Sequence, residues 1–182
     1  MNFFKKPAVA VILAVLLCGG ILSFNTQSKL GEEIDAVEDS FFTNVDGQRS
    51  IYSRLQEKLQ AANGVWTVLV KYDEAAAEEL SYERDSLIWA CDEADISYMK
   101  YCSDYLDDEF ASALRTLDGL ELTDDERSLV DEYETAYNGA QKMIEENSYN
   151  SEVLEFMRST YNKFPTRELA EFAGVNPPET FN

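Results

Sequence analysis

The sequence predicts an all-α protein in which an N-terminal transmembrane helix is followed by an antiparallel bundle of three to four long helices. Glycine and proline are scarce, with 8 and 4 residues among 182, and this scarcity disfavours a turn-rich β architecture. Apolar residues recur in steps of three and four over long stretches, which is the spacing of one buried helix face. An uncharged apolar run near the N-terminus indicates the membrane helix.

Residues 7–24 (PAVAVILAVLLCGGILSF) form this apolar run. They carry no charge and are just sufficient in number to cross a bilayer as a helix. Lys5 and Lys6 precede the run, so the positive-inside rule places the N-terminus in the cytoplasm and the following domain outside the cell membrane. We therefore expect residues 1–28 to be a cytoplasmic N-terminus with a single-pass signal-anchor, and residues 29–182 to be the helical domain.

Two alternatives stay open for the same segment. A basic start before a short apolar core is also typical of a cleavable signal peptide, although no A-x-A-like site follows here. Residues 15–18 (VLLC) resemble a lipobox, in which Cys18 would be acylated after cleavage, but Leu17 stands where a small residue is required. We interpret the segment as a retained anchor.

Apolar spacing predicts the first two helical stretches of the domain. One stripe runs over residues 34–69, and the Asn-Gly pair at 63–64 predicts a kink or a stop near its end. A second stripe runs over residues 72–117, with an irregularity expected at 92–95, and Gly119 ends it.

The start of the third stretch is the clearest local signal. In residues 123–126 (TDDE), a threonine is followed three residues later by a glutamate, which predicts a capping box at a helix N-terminus. The acidic side chains also favour the positive end of the helix dipole. The helix then either runs unbroken to Lys163 or pauses at 148–151, and Pro165 stops it.

A short C-terminal helix is expected at residues 166–173. Gly174 stands at its end, and the proline pair at 177–178 prevents its extension. We expect residues 165–182 as a whole to fold on the bundle.

Charge and composition exclude several functional classes. The net charge is −20, and beyond the apolar run 13 basic and 35 acidic residues leave −22. Such a field repels nucleic acid, so we expect no nucleic-acid role. We interpret the charge as a source of solubility and colloidal stability, and a basic partner or loosely held divalent cations are the alternative. The chain has no histidine, which removes most zinc and catalytic-triad chemistry. We therefore expect no enzymatic activity, no metal and no cofactor.

Cysteine and acidic clusters have ordinary structural interpretations. On one continuous helix Cys91 and Cys102 would lie about 16 Å apart, too far to form a disulfide, so we expect packing thiols. The acidic clusters at 104–109 and 118–126 lack the spacing of an EF-hand, so we expect solvated faces.

Tyrosines recur on two predicted helix faces. Tyr98, Tyr101 and Tyr105 share one face, and Tyr133 and Tyr137 are similarly spaced on another helix. We expect core packing with the hydroxyls reaching water. An exposed binding surface is the alternative.

In the C-terminal segment, the pair Phe164-Pro165 precedes Leu/Ala positions, a glycine flanked by apolar residues (Gly174) and a final phenylalanine (Phe181). This pattern resembles the tail of the LemA family. The matching residues here are Phe164, Pro165, Phe172, Gly174 and Phe181. Two Tyr-Asn pairs and a V-D-x-Q segment with its following arginine also resemble the family, through Tyr149, Asn150, Tyr161, Asn162, Asp46, Gln48 and Arg54.

This resemblance implies a bacterial membrane-anchored helical bundle with no established catalytic activity, so it supplies structural residues and no catalytic ones. We expect Phe164 and Phe172 to fold back on the end of the bundle. Gly174 would permit the next turn, and Phe181 would pin the terminus.

Our leading hypothesis for function is a non-catalytic scaffold or adaptor of the bacterial cell envelope, anchored in the lipid bilayer through residues 7–24 and engaging another membrane or envelope protein. The alternative is an extracytoplasmic sensory bundle that binds a small ligand or a cation between its helices. A hydrolase or lyase would rest only on the abundant carboxylates.

Overall fold

The computed structural model describes residues 7–44 and 47–182, apart from the side chains of 7–19, 21, 22 and 24. Helices dominate this part of the chain and no strand occurs in it, which confirms the all-α prediction. In chain order the helices are α1 (Pro7–Phe42), α2 (Ile51–Leu69), α3 (Glu74–Glu93), α4 (Ile96–Asp118), α5 (Asp124–Glu145), α6 (Tyr149–Phe156) and α7 (Thr166–Ala173), with a π-helical turn at Met157–Tyr161.

The chain divides into two compact units. The first joins the segment up to Asp39 with Ser151–Pro178, and the second joins Ser40–Asn150 with Glu179–Asn182. The boundary between residues 28 and 29 stays a prediction.

Four helices, α2 to α5, make the second unit a helical bundle. Their connections are a few residues long, which makes sequential helices antiparallel. Lys71 and Tyr72, after α2, bond Glu126 at the start of α5, and Lys58 early in α2 bonds Gln141 late in α5. The first and last helices of the bundle are therefore also antiparallel.

The predicted helix over residues 34–69 is wrong at its middle, because α1 ends at Phe42 and α2 begins at Ile51. Ser50 caps α2 by accepting a bond from Ser53 N, and Asn44 Oδ1 accepts from Ser50 N at 2.9 Å. These short polar side chains satisfy backbone groups that a continuous helix would satisfy itself.

The expected kink or stop at residues 63–64 is also wrong. The helix α2 continues through Gly64 to Leu69, and the ring of Tyr133 on α5 packs directly against this glycine. A Cβ built at Gly64 would lie 2.3 Å from Tyr133 Cε2. Close helix approach, rather than chain flexibility, explains the glycine.

The irregularity expected at residues 92–95 is a full break. Ala94 takes the left-handed conformation with φ 55°, and Asp95 caps α4 by accepting from Tyr98 N at 2.7 Å. The third stretch was expected either to run unbroken to Lys163 or to pause at 148–151. The pause is observed, because α5 ends at Glu145 and α6 begins at Tyr149. The capping box is confirmed, since Thr123 and Glu126 exchange both bonds.

The first unit has its own small core. Leu30 and Ile34 of α1 pack with Tyr161 and Ala170, and the Tyr161 hydroxyl donates to Val175 O at 2.8 Å. The C-terminal helix is found at the predicted residues.

Gly174 ends α7 in the left-handed conformation with φ 69°, as its position in the sequence predicts.

The prediction that Phe164 and Phe172 fold back on the bundle end is wrong, because their side chains are 84% and 66% exposed. The buried face of α7 is made by Ala170 and Ala173, and Phe172 projects from the other side of this helix. Tyr161 is the aromatic residue that enters the core of this unit.

In the part of the chain that the structure describes, no helix has both the length and the hydropathy that crossing a bilayer demands. Most side chains of the predicted span lie outside the described residues, including that of Cys18, on which the lipoprotein alternative depends.

Candidate functional site

The α3–α4 hairpin presents the most unusual surface of the second unit. Its inward stripes, which include Leu80 and Leu87 on α3 and Leu106 and Phe110 on α4, fill the core. Its outward side carries a row of aromatic rings, which we call the aromatic face: Tyr82, Trp89, Tyr98, Tyr101 and Tyr105.

Ring contacts join four of the five rings of the aromatic face across the two helices, from Trp89 to Tyr105. Trp89 meets Tyr98 edge-on with centroids 5.3 Å apart, and Tyr98 stacks on Tyr101 at 5.9 Å. Tyr101 in turn contacts Tyr105 at 4.7 Å. These separations lie in the range in which aromatic pairs attract one another, so the rings hold each other in place.

Exposure distinguishes these rings from core residues. Trp89 and Tyr101 are each 55% exposed, Tyr82 is 69% exposed, and Tyr98 is half-buried. The expected core packing is therefore wrong for Tyr101 and Tyr105, and the alternative of an exposed surface describes them. Exposed aromatic rings grouped in this way are enriched at protein interfaces.

The prediction of core packing is confirmed for one tyrosine of the second pair, Tyr137, and only partly for the other, Tyr133. Tyr137 is buried and stacks on Phe110 with centroids 3.8 Å apart, whereas Tyr133 is half-buried against Gly64.

An acidic crevice lies at the Tyr82 end of the aromatic face. It has a volume of ≈ 630 Å³ and is lined by Ala75, Glu78, Glu79, Tyr82, Glu83 and Glu109. Burial raises the pKa of Glu109 above its ordinary value, and the carboxylates of Glu79 and Glu83 raise it further. A positive group from a partner would relieve this repulsion.

Sequence reasoning missed Tyr82 and Trp89. The available signal was that these two residues are seven positions apart, and that each follows a core leucine, Leu80 or Leu87, by two positions. A helix turns by about 200° over two residues, which places both rings on the side opposite the core stripe.

A buried lysine lies in the interior of the same unit. Lys58 is fully buried, and its Nζ donates to Ser103 Oγ and Gln141 Oε1, both at 2.8 Å. Asp107 Oδ1 lies 2.6 Å from the same Nζ and accepts a bond from the Tyr137 hydroxyl at 2.7 Å.

Burial lowers the pKa of Lys58, and the nearby Asp107 carboxylate acts in the opposite direction. The ammonium group has three N–H bonds, and each has an acceptor within reach on α4 or α5. The arrangement suits a register-fixing contact among three helices better than a nucleophile.

A groove of ≈ 650 Å³ lies between α2 and α5. Its floor includes the small residues Ala61, Gly139 and Ala140. Arg54, at its edge, donates from Nη1 to Glu57 Oε2 at 2.7 Å, whereas its buried Nε has no hydrogen-bond partner among the described residues. An unsatisfied buried donor is costly, so a movement of the Arg54 side chain that brings this Nε to an acceptor in the groove would be favoured.

Three residues of the motif that resembles the LemA family hold the C-terminal segment of the second unit. The Tyr149 hydroxyl donates to Glu179 O at 2.6 Å. The Asn150 amide donates to Phe181 O and accepts from Phe181 N, both at 2.8 Å. The rings of Tyr149 and Phe181 contact Phe41. Phe181 therefore pins the terminus, as expected.

Most of the remaining described motif residues are exposed. Gln48 and Asn162 are exposed, and Asp46 lies outside the described residues. Pro165 follows a cis peptide bond immediately before α7.

Both described cysteines are buried free thiols, as expected, but they lie on separate antiparallel helices. Burial raises the pKa of Cys91 to about 12, so its thiol stays neutral. Among the residues that the structure describes, no group of three or more acidic or cysteine side chains could hold a metal ion.

No family model, curated protein or solved structure matches the chain. Functional interpretation therefore depends on the surfaces described above, of which the aromatic face with its acidic crevice is the best defined.

Proposed function

We propose that this chain is a non-catalytic adaptor of the bacterial cell envelope, of the kind that the LemA resemblance implies, anchored by residues 7–24 with its helical domain outside the membrane. Its aromatic face docks a basic segment of another membrane or envelope protein. The observation that carries this proposal is the row of contacting rings from Trp89 to Tyr105, on the same hairpin as Tyr82 and the acidic crevice that it lines.

Ring chemistry supports a protein partner. Tyrosine and tryptophan provide large contact areas at little cost in side-chain entropy, and they are the residues that most often dominate binding energy. The contacts between Trp89, Tyr98 and Tyr101 already restrict these rings before any partner arrives. Less ordering is then needed on binding.

Charge supports a basic partner. The −22 carried beyond the anchor attracts positive segments, and Glu79, Glu83 and Glu109 gather beside Tyr82. Arginine and lysine also bind over exposed aromatic rings. A segment that alternates basic and apolar residues would engage the crevice and the rings together.

The test is recovery of a membrane partner from detergent-solubilised protein after gentle crosslinking, using wild type, Trp89→Ser and Tyr101→Ser. Each variant should weaken binding by about 2 kcal/mol, or roughly 30-fold. Leu129→Ser is the matched control, since Leu129 is a 37% exposed apolar residue of the same unit. The control should recover the partner as wild type does.

The proposal predicts that the recovered protein has a basic segment and that high salt weakens the complex. Equal recovery by Trp89→Ser and Leu129→Ser, or an acidic partner, would contradict it. Orientation is tested separately by labelling a cysteine introduced at Leu129, which is exposed outside the aromatic face, in intact cells with an impermeant reagent. Absence of labelling would refute an outward-facing domain.

A second candidate function is ligand binding, favoured by the groove between α2 and α5. Its specific support is the buried, unsatisfied Nε of Arg54. A ligand with a carboxylate would provide the missing acceptor. Calorimetry with soluble peptidoglycan fragments should then show binding heat that Arg54→Gln removes, and no heat with wild type would exclude these ligands.

A further inference from the structure

The C-terminal helix α7 lies beside the part of α1 that directly follows the predicted membrane span. The backbone of α1 is helical from Pro7 to Phe42 without interruption. Gln27 is three residues beyond the end of the apolar run at Phe24, which is about 5 Å along the helix axis. Features bonded to Gln27 therefore lie within about one helical turn of the end of the span.

Both ends of α7 reach this level of α1. Gln27 Nε2 donates to Ala173 O at 3.1 Å, at the C-terminal end of α7. At its other end, Thr166 and Leu169 line a crevice of ≈ 310 Å³ together with residues of α1 that include Thr26 and Lys29. The short helix thus lies alongside the first turns of α1 that follow the apolar run.

Two phenylalanine side chains of this segment are in solvent: Phe172 on the outer side of α7, and Phe164 two residues before the helix begins. Phe164 is 84% exposed and Phe172 is 66% exposed, while Ala170 and Ala173 face the core of the unit. Burying a phenylalanine side chain is favourable, so leaving two exposed in one small unit indicates an apolar surface that covers them. Phenylalanine on one side of an amphipathic helix is typical of helices that lie in a bilayer interface.

We propose that α7 is an interfacial helix, and that Phe172 and Phe164 enter the surface of the bilayer from which the anchor emerges. This inference rests on the proposed membrane anchoring. The anchor fixes the lipid surface near Phe24, and the bond between Gln27 and Ala173 fixes Phe172 near that surface.

The contact is apolar rather than electrostatic. Arg167 on α7 is paired with Glu171 at 2.9 Å, and Glu168 adds a further negative charge on the same helix. This side of the unit therefore has little net attraction for anionic headgroups. Binding should need neither anionic lipid nor low salt.

Fluorescence of tryptophans placed at these positions tests the inference in the full chain. Phe172→Trp and, separately, Phe164→Trp are made in a Trp66→Phe, Trp89→Phe background and reconstituted into phosphatidylcholine vesicles. Lipids brominated near the headgroup end of the acyl chain quench tryptophans in the interface.

Leu154→Trp is the matched control, because Leu154 is also exposed, at 55%, and belongs to the same unit. Leu154 lies on α6 seven residues before Tyr161, which packs against Leu30. It is therefore about 10 Å farther from the predicted span than Tyr161, measured along the helix.

The expected result is a blue-shifted emission and at least about twofold quenching for Phe172→Trp, unchanged by salt, with neither effect for Leu154→Trp. Vesicles that float with the protein but leave Phe172→Trp as unquenched as the control overturn this inference alone. Failure of the protein to float with vesicles overturns the anchor as well. A blue shift that grows with protein density, without quenching by the brominated lipid, indicates that a second copy covers this surface and also overturns the inference. Quenching that requires anionic lipid and disappears in salt overturns it as well.

Discussion

Gly64→Ala should destabilise the bundle, although it replaces a glycine in a helix interior by the best helix former. Helix propensity alone would favour alanine by about 1 kcal/mol. The new Cβ, however, would lie 2.3 Å from Tyr133 Cε2 and 2.4 Å from two further ring atoms. The ring must retreat by about 1 Å to reach ordinary contact, and such overpacking costs about 1–3 kcal/mol. The net expected loss is about 1 kcal/mol.

Gly139→Ala provides the matched control. Gly139 is inside α5, and a Cβ there would meet nothing within 4 Å. This variant should gain about 0.5–1 kcal/mol from propensity. The same chemical change at the two positions should therefore differ by about 2 kcal/mol, which is roughly 4–8 °C in the unfolding midpoint for a domain of this size.

Thermal unfolding of the detergent-solubilised full chain, followed by far-ultraviolet circular dichroism, measures this difference. Adding Tyr133→Ala to Gly64→Ala should reverse the sign of the glycine substitution, because the obstructing ring is gone. If Gly64→Ala stabilises the protein as much as Gly139→Ala does, the close packing of α2 on α5 is refuted.

Three further predictions concern charged and titrating groups. Asp107→Asn should destabilise the bundle by about 3 kcal/mol in thermal unfolding, and more than Lys58→Met, because it leaves the buried ammonium without its counter-charge. Hydrogen bonds from Tyr72, Lys71 and Thr123 lower the pKa of Glu126 to about 2, so the stability that this carboxylate contributes is present above pH 4.5 and lost between pH 4.5 and 2. In Glu126→Gln the free energy of unfolding should therefore fall less steeply over that pH range, and an unchanged fall would contradict this. Burial raises the pKa of Cys91 from 9.0 to about 12, so wild type should lose stability as pH rises from 9 towards 12, and Cys91→Ala should lose less over that range in urea titrations at each pH.

Local signals were read correctly from the sequence. The capping box at Thr123 and Glu126 depends on residues three positions apart, and Gly174 ends α7 through its own backbone conformation. Each of these features is determined by neighbours in the chain, so one short segment was sufficient to predict it.

Features that depend on a distant partner were misread. Gly64 indicated a weak point of the helix, whereas the ring of Tyr133 on another helix explains it. Lys58 gave no signal at all, since its acceptors lie 45 or more residues away.

The aromatic face could be predicted only as an alternative, because α4 carries two stripes at helical spacing. Tyr98, Tyr101 and Tyr105 form one, and Met99, Leu106 and Phe110 belong to the other. Period alone does not decide which stripe faces the neighbouring helices. The packing of α4 on α3 and α2 decides it, and leaves Tyr101 and Tyr105 in solvent.

The most direct test of the proposed docking surface is a profile of site-specific photo-crosslinking in intact cells. A photoreactive phenylalanine analogue is placed in turn at Trp89, Tyr101 and Tyr105, and at the exposed control positions Val70 and Leu129. The proposal predicts one crosslinked partner with a basic segment, formed from the three positions of the aromatic face and from neither control. Crosslinks that are absent from the aromatic face, or equally strong at Val70 and Leu129, would contradict it.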